Sequence, residues 1–401
     1  MLFSRRRRSK ITHSARTRRS TLRRRRLIES LETRQLLTVT PVTIDGGYQL
    51  QLSYEPGETI GNVEDVYLRT SPSGEIQYAT EDSFGPYTDL GTNLTDGSVD
   101  SLKIEVVYRS QATGDWALFQ QGLRDRTFSK LFVGNLEAPG VDLDISAPHI
   151  EVSPGSVVTT RNQQTGADPL TDASVGDSGD LVLDSSIIDI KGSLLTQVGD
   201  DDTVNTAGNI TINATGNLSD IASSFATIPV VPGISITQAA VSLDSAVVRG
   251  GDITIDVESD ASDLFDDEDE PGAWGEPLAE YVGSLSVIAG VALSESTAEL
   301  DISNSSIVGR NVTLSSESAT DAEATVLSFY AAVAYGHSIP HATVDIRDGS
   351  SIEATDDLSI STKADSDLSI IATQNLIGTS TVVEKRNVTL AGAYSDVVSS
   401  A

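Results

Sequence analysis

The side chains of this 401-residue sequence best suited to chemistry are its carboxylates, its four histidines and one serine framed by glycines. Asp266, Asp267, Glu268, Asp269 and Glu270 crowd a 14-residue stretch, 263–276, and Asp200, Asp201 and Asp202 form a second acidic run. Hard oxygen ligands at this density suit Ca2+. Neither run has EF-hand spacing or a glycine-rich nonapeptide calcium repeat, so a solvated acidic loop is the alternative reading. Calcium is the one cofactor suggested. His337 and His341 stand four apart, the spacing that lets a helix turn two rings toward one metal, but Pro340 between them opposes a helix. They read instead as loop histidines, exposed to solvent or holding a loop-borne metal. In Gly176-Asp177-Ser178-Gly179 the serine has the local frame of an acyl-transfer nucleophile. That chemistry needs a histidine base beside it, and His149 is the only one nearby. Glycoside cleavage needs two facing carboxylates, and no acid here stands in a motif that singles it out.

The elements that must position these groups follow from composition. Apolar residues are 38% of the chain and aromatics 5%, so a core must be built from Val, Ile, Leu and Ala. Cysteine is absent, which removes disulfides, thiolate metal sites and a cysteine nucleophile. Net charge is −31, divided unevenly: residues 1–40 carry +11 and residues 41–401 carry −42. A body that negative repels phosphate backbones, so nucleic acid is not its partner. No apolar run is long enough for a transmembrane helix.

Arg5 to Arg8, Lys10, Arg16, Arg18, Arg19 and Arg23 to Arg26 repel one another with little apolar surface between them, so the leader is expected to be disordered. A nucleic-acid or lipid-binding tail is one use for it, and export targeting another. Glu29, Glu32 and Arg34 interrupt the apolar stretch that a simple secretory signal requires. Leu31-Glu32-Thr33-Arg34-Gln35-Leu36-Leu37 resembles the LEPR-XLL segment that follows an Arg-rich leader on large bacterial surface proteins. Thr33 stands where that family has Pro. The resemblance implies an exported chain with Leu31, Glu32, Arg34, Leu36 and Leu37 as the export segment.

Residues 41–140 hold 11 of the 20 aromatic residues and short alternating runs such as Tyr48 to Leu52 and Leu102 to Val107. They read as a β-rich cap module bounded near Gly140, with the aromatics as core or as a sugar-stacking surface. From 141 onward a turn residue, then Asp or Asn, then an apolar–polar–apolar triplet recurs at Gly179 to Leu183, Gly208 to Ile212 and Gly251 to Ile255. It returns at Arg310 to Leu314, Asp356 to Ile360 and Arg386 to Leu390. The Asp/Asn positions are 29, 43, 59, 46 and 30 residues apart, and removing 263–276 as an inserted loop shortens the longest interval to 45. Insertions confined to loops are the mark of stacked supersecondary repeats. The period-two runs 284–292 and 322–334 read as strands, with an Ala-rich helix as the rival for the second.

These features predict an all-β chain: a right-handed parallel β-helix or β-solenoid over 141–401, with an N-terminal β cap module and a disordered basic leader. Gly208-Asn209-Ile210-Thr211-Ile212-Asn213-Ala214 closely resembles the repeat of filamentous-haemagglutinin-type bacterial exoproteins. That resemblance implies a secreted cell-surface adhesin or matrix scaffold, extracellular and not an enzyme, whose partner is a surface ligand, carbohydrate or other cells. The alternative is a β-helical carbohydrate-active enzyme. A groove holding three or more carboxylates and a basic residue on one sheet face would favour it. A shaft ending at Ala401 without a polar cap leads us to expect a longer parent polypeptide.

Overall fold

The computed structural model describes residues 39–54, 65–80, 86–110, 130–162, 176–197, 207–220, 230–261, 287–328, 331–347, 349–374 and 394–399. All fall within one compact unit, Leu37–Ala401, and every regular element among them is a β-strand. The basic leader with its export segment, the acidic stretch 263–276, Asp200 to Asp202 and the repeat copy 386–390 lie outside the described residues.

The chain opens with β1 (Val39–Ile44) and β2 (Gly47–Tyr54), an antiparallel hairpin closed by Gly46 at φ +78°. Next come β3 (Val66–Thr70), β4 (Glu75–Ala79) and β5 (Thr88–Asn93), an antiparallel meander. Then the chain begins to coil. Its first turn is β6 (Ser101–Ser110), β7 (Leu131–Val133) and β8 (Leu136–Glu137); its second is β9 (Asp142–Ser146), β10 (His149–Val152) and β11 (Val157–Thr159). The third is β12 (Leu181–Ser185), β13 (Ile187–Ile190) and β14 (Ser193–Leu195). Longer turns follow: β15 (Ile210–Thr215), β16 (Asn217–Asp220), β17 (Val230–Asp244) and β18 (Val247–Arg249), then β19 (Ile253–Asp260) and β20 (Val287–Ser303). Last come β21 (Ser306–Ser328), β22 (Ala331–Ile346), β23 (Ser351–Gln374) and β24 (Tyr394–Ser399).

Apart from β1, β4, β5 and β16, which pair antiparallel with a neighbour, each strand pairs in parallel with its counterpart one turn on, which sorts the strands into three columns. The first column runs β2, β6, β9, β12, β15, β19, β21, β23. The second runs β3, β7, β10, β13, β17, β20, β22, β24, and the third runs β8, β11, β14, β18 and the beginnings of β21 and β23. Because β21 serves the third column at Ser306 to Val308 and the first from Val312, those two columns join with β1 in one 13-stranded sheet, beside an 11-stranded sheet made of the second column with β4, β5 and β16. Parallel pairing passes without interruption from β6 to β9, from β7 to β10 and from β8 to β11, across Gly140.

Alternation puts apolar residues inside. Leu102, Leu143, Leu181, Ile210, Ile253 and Val312 stack in register, as do Ile104, Ile145, Leu183, Ile212, Ile255 and Leu314, and all twelve are buried. The corner from second to third column passes through left-handed backbone at Gly155, Ser245, Asn304 and Gly349, a conformation short polar residues and glycine tolerate.

The recurring Asp/Asn has a structural cause. Its side chain accepts the backbone N–H of the equivalent residue one turn later: Asp142 from Asp180 at 2.8 Å, Asp180 from Asn209 at 2.7 Å, Asn209 from Asp252 at 3.0 Å. The Asn311 side-chain amide donates to Asp252 at 2.9 Å. The preceding glycine leaves room for the stack, since a Cβ on Gly208 would stand 1.9 Å from the Gly179 carbonyl oxygen.

One expectation changes. His337 and His341 lie in strand β22 rather than in a loop, His337 exposed and His341 half-buried. Pro340 is accommodated there because β24 pairs with β22 only from His341 onward, so no described neighbour needs its missing N–H on that side. The described parts of the period-two run, 322–328 in β21 and 331–334 in β22, are strand, as the alternation predicts.

Candidate functional site

Strand geometry decides the histidine pair. Four residues of strand span about 13 Å, so His337 and His341 cannot share one metal ion. Ser178 lies in the turn before β12, while His149 Nε2 is bonded to Asp189 Oδ2 at 3.1 Å on the second column. The Gly-Asp-Ser-Gly segment is a coil turn: a Cβ on Gly179 would stand 2.1 Å from the Val141 carbonyl oxygen. Among the described residues no group of three His, Asp or Glu side chains is arranged to hold a metal.

A notch of about 670 Å³ opens where the first column turns into the second. It arises from unequal strand lengths. Only Ala147 and Pro148 separate β9 from β10, and only Ser186 separates β12 from β13, whereas β6 continues to Ser110 and β19 to Asp260. The short corners form the floor and the longer strands the walls. Glu105, Asp184, Asp256 and Glu258 line it together with Ser146, Ser185, Asn213 and Thr215, and the lining contains no basic and no aromatic side chain.

Register explains the arrangement. Gln49, Glu105, Ser146, Asp184, Asn213, Asp256 and Ser315 occupy successive positions of one outward row on the first column. Glu105 Oε2 accepts from Gln49 Nε2 at 2.8 Å, Asp184 Oδ1 from Asn213 Nδ2 at 2.8 Å, and Asp256 Oδ1 from Ser315 Oγ at 2.7 Å. In the adjoining row Lys103 Nζ stands 3.7 Å from Asp144 Oδ2, and burial, opposed by that lysine, raises the Asp144 carboxyl above its ordinary value.

Just past the same corner lies a mixed-charge network on the second column. Lys130 Nζ is 3.0 Å from Glu151 and 3.5 Å from Asp189, and Lys191 Nζ is 3.1 Å from Glu151. The hydrogen bond from His149 holds the Asp189 carboxyl below its ordinary value against the opposing effect of burial, and Lys130 and Lys191 add to the lowering. Burial raises Asp65, which accepts the Lys130 backbone N–H at 3.1 Å. Farther along the same outward row Tyr67 and Phe132 stack with centroids 4.9 Å apart and planes 9° from parallel. Their facing surfaces are spent on each other, which leaves at most one face of each ring for any other contact.

Sequence reading missed both clusters, because their members come from five turns and no local motif joins them. For the notch the usable signal was the outward position four residues past each turn Asx, read down the aligned repeats. Among the described residues no helix is long and apolar enough to cross a membrane. No family model, curated protein or solved structure matches the chain.

Proposed function

We propose that this chain is an exported cell-surface adhesin or extracellular scaffold whose three columns wind as a right-handed parallel β-helix. The observation that carries this reading is the in-register repetition of polar outward rows over successive turns, which offers an extended surface rather than an enclosed pocket. The acidic body keeps such a surface soluble, and the LEPR-XLL-like segment at 31–37 supplies the export expectation. Fractionation of cells producing the native chain tests it: the protein should appear at the surface or in the medium, and deletion of residues 1–40 should retain it inside. Cytosolic recovery of the intact chain would end the adhesin reading.

The notch supports a second reading, a β-helical glycan-cleaving enzyme, since it gathers four carboxylates. Basic groups stand near it, Lys103 in the neighbouring row and Lys130 past the corner, but neither lines it. Release of reducing ends from a polysaccharide panel by purified protein, abolished by Asp184→Asn, would establish this reading in place of the first.

A further inference from the structure

The first column ends differently on its two sides. On one side lies β1, a six-residue strand that contains Pro41, and short strands with proline are a common way to blunt a sheet edge. On the other side β23 runs for 24 residues and pairs with β21 along one edge, and among the described residues no strand pairs with its opposite edge. That edge borders the end of the core. Leu358 is 51% exposed there, and Ile352, Ala354 and Ile360 are only partly buried against the core cluster. A long strand edge without a partner is a template for pairing with another chain.

The residues of β23 select the partner. From Leu358 to Ile370 the strand reads Leu-Ser-Ile-Ser-Thr-Lys-Ala-Asp-Ser-Asp-Leu-Ser-Ile, a stretch that is self-complementary when laid antiparallel on a copy of itself about Ala364. Leu358 then falls opposite Ile370, Ile360 opposite Leu368 and Thr362 opposite Ser366. Lys363 falls opposite Asp365 on both sides of the centre, and no acid of β23 opposes an acid. Strand alternation requires opposed residues to share a face, so the centre must fall on a residue, and the neighbouring centres fail. Lys363 or Asp365 as centre would oppose itself; Thr362 as centre sets Asp357 against Asp367, and Ser366 sets Asp365 against Asp367. Like charges directly opposite destabilise a strand pair, whereas opposite charges stabilise it. Lys363 and Asp365 are 61% and 73% exposed, and Lys363 also reaches Glu317 one turn back. We propose that β23 is a self-association edge, on which two copies of this chain pair antiparallel with Ala364 opposite its own equivalent. Such an isologous contact closes on itself and yields dimers rather than filaments. The pairing stands independently of export and of any surface ligand.

The chain contains no cysteine, so a single introduced thiol reports the register. In Ala364→Cys the two thiols would face each other with Cα atoms about 4.5–5.5 Å apart, within disulfide reach, and mild oxidation of the folded full chain should give mostly covalent dimer. In Ser359→Cys they would stand ten strand steps or about 34 Å apart, and covalent dimer should be at least about tenfold scarcer. Sedimentation equilibrium of the native chain should show a reversible monomer–dimer equilibrium. Lys363→Asp and Asp365→Lys each set like charges opposite at two places and should weaken the dimer about tenfold. Combining them restores opposite charges and should return affinity to within about threefold of native. A native chain that stays monomeric up to roughly 100 μM would overturn the proposal. So would equal crosslinking at 359 and 364, a double variant as weak as the single ones, or assembly beyond the dimer. Circular dichroism of each variant separates lost pairing from lost fold.

Discussion

The second and third turns of the coil and its last two solve the same packing problem with different residues. Strands β9 to β14 are three to five residues long, and their inward positions are almost all Leu, Ile and Val. Strands β20 to β23 run for 17, 23, 16 and 24 residues. Their aliphatic ladders, Leu300 with Ile302 and Val312 with Leu314, occupy only the part next to the coil. Beyond it the inward positions are Ala298, Ser296 and Ser294 on one side and Ser316, Ser318 and Thr320 on the other, all buried. Their hydroxyls bond across the layer: Ser316 to the Ala298 carbonyl at 2.9 Å, Ser318 to that of Ser296 at 2.9 Å, and Thr320 with Ser338 at 2.6 Å. Hydrophobic burial therefore closes the coil, whereas small side chains and satisfied hydroxyls join the long wing. Apolar area scales with side-chain size, and a seam of Ser and Ala removes little of it from water.

That contrast predicts unequal sensitivity to truncation. Ile212 is fully buried in the middle of a ladder, between Leu183 and Ile255. Ile212→Ala should cost about 2–5 kcal/mol, from lost transfer energy plus a cavity that neighbouring turns cannot close, read from urea unfolding. In the wing, Ser318→Ala removes a donor to Ser296 and an acceptor for the His341 N–H, for an expected loss of about 1–3 kcal/mol. If Ser318→Ala proves the more damaging of the two, the division into an aliphatic coil and a hydroxyl seam is wrong.

The Asx column tests whether the coil also relies on polar stacking. Asn209→Ala deprives the Asp252 N–H of its acceptor and should cost about 1 kcal/mol, while Asn209→Asp retains the acceptor and should stay within about half of that. Larger losses here than at Ile212 would shift the weight from core to turns.

How far these regions were legible in the sequence follows from the range of their interactions. Gly208 to Ile212 could be read because turn, ladder bond and apolar triplet are contiguous and recur. The seam could be seen only as period two at Ala322 to Ala334, since alternation fixes a strand without saying what faces it. Leu358 shows the limit more plainly. It holds the ladder position below Val312, yet it is 51% exposed where Val312 is fully buried. Burial belongs to the neighbouring turn, not to the residue. The notch escaped for a related reason: it depends on differences between strand lengths, and those were invisible while Ala147-Pro148 and Ser186 were unknown as corners.

The smallest expected effect is electrostatic and separates the coil's charged face from its core. Asp189 is held below its ordinary value by the His149 hydrogen bond, with Lys130 and Lys191 contributing. A carboxyl whose folded value is depressed stabilises the fold at every pH above its unfolded value and loses that contribution as pH falls through the folded one. The stability difference between the native chain and Asp189→Asn should therefore be level from neutrality down to about pH 4 and shrink below it. Its plateau should be modest, because Asp189 keeps 23% of its side chain in solvent and the lysines 34% and 37%. Asp144, raised by burial, has the opposite sign: its ionisation opposes folding, so Asp144→Asn should gain relative stability as pH rises from the ordinary carboxyl value to the raised one and hold that gain above it. Ile212→Ala carries no titrating group, and its loss should follow neither curve. A pH-dependent Ile212→Ala deficit would mean that the charged face and the aliphatic ladder unfold as separate units, which the short corners joining β9 to β10 and β12 to β13 argue against.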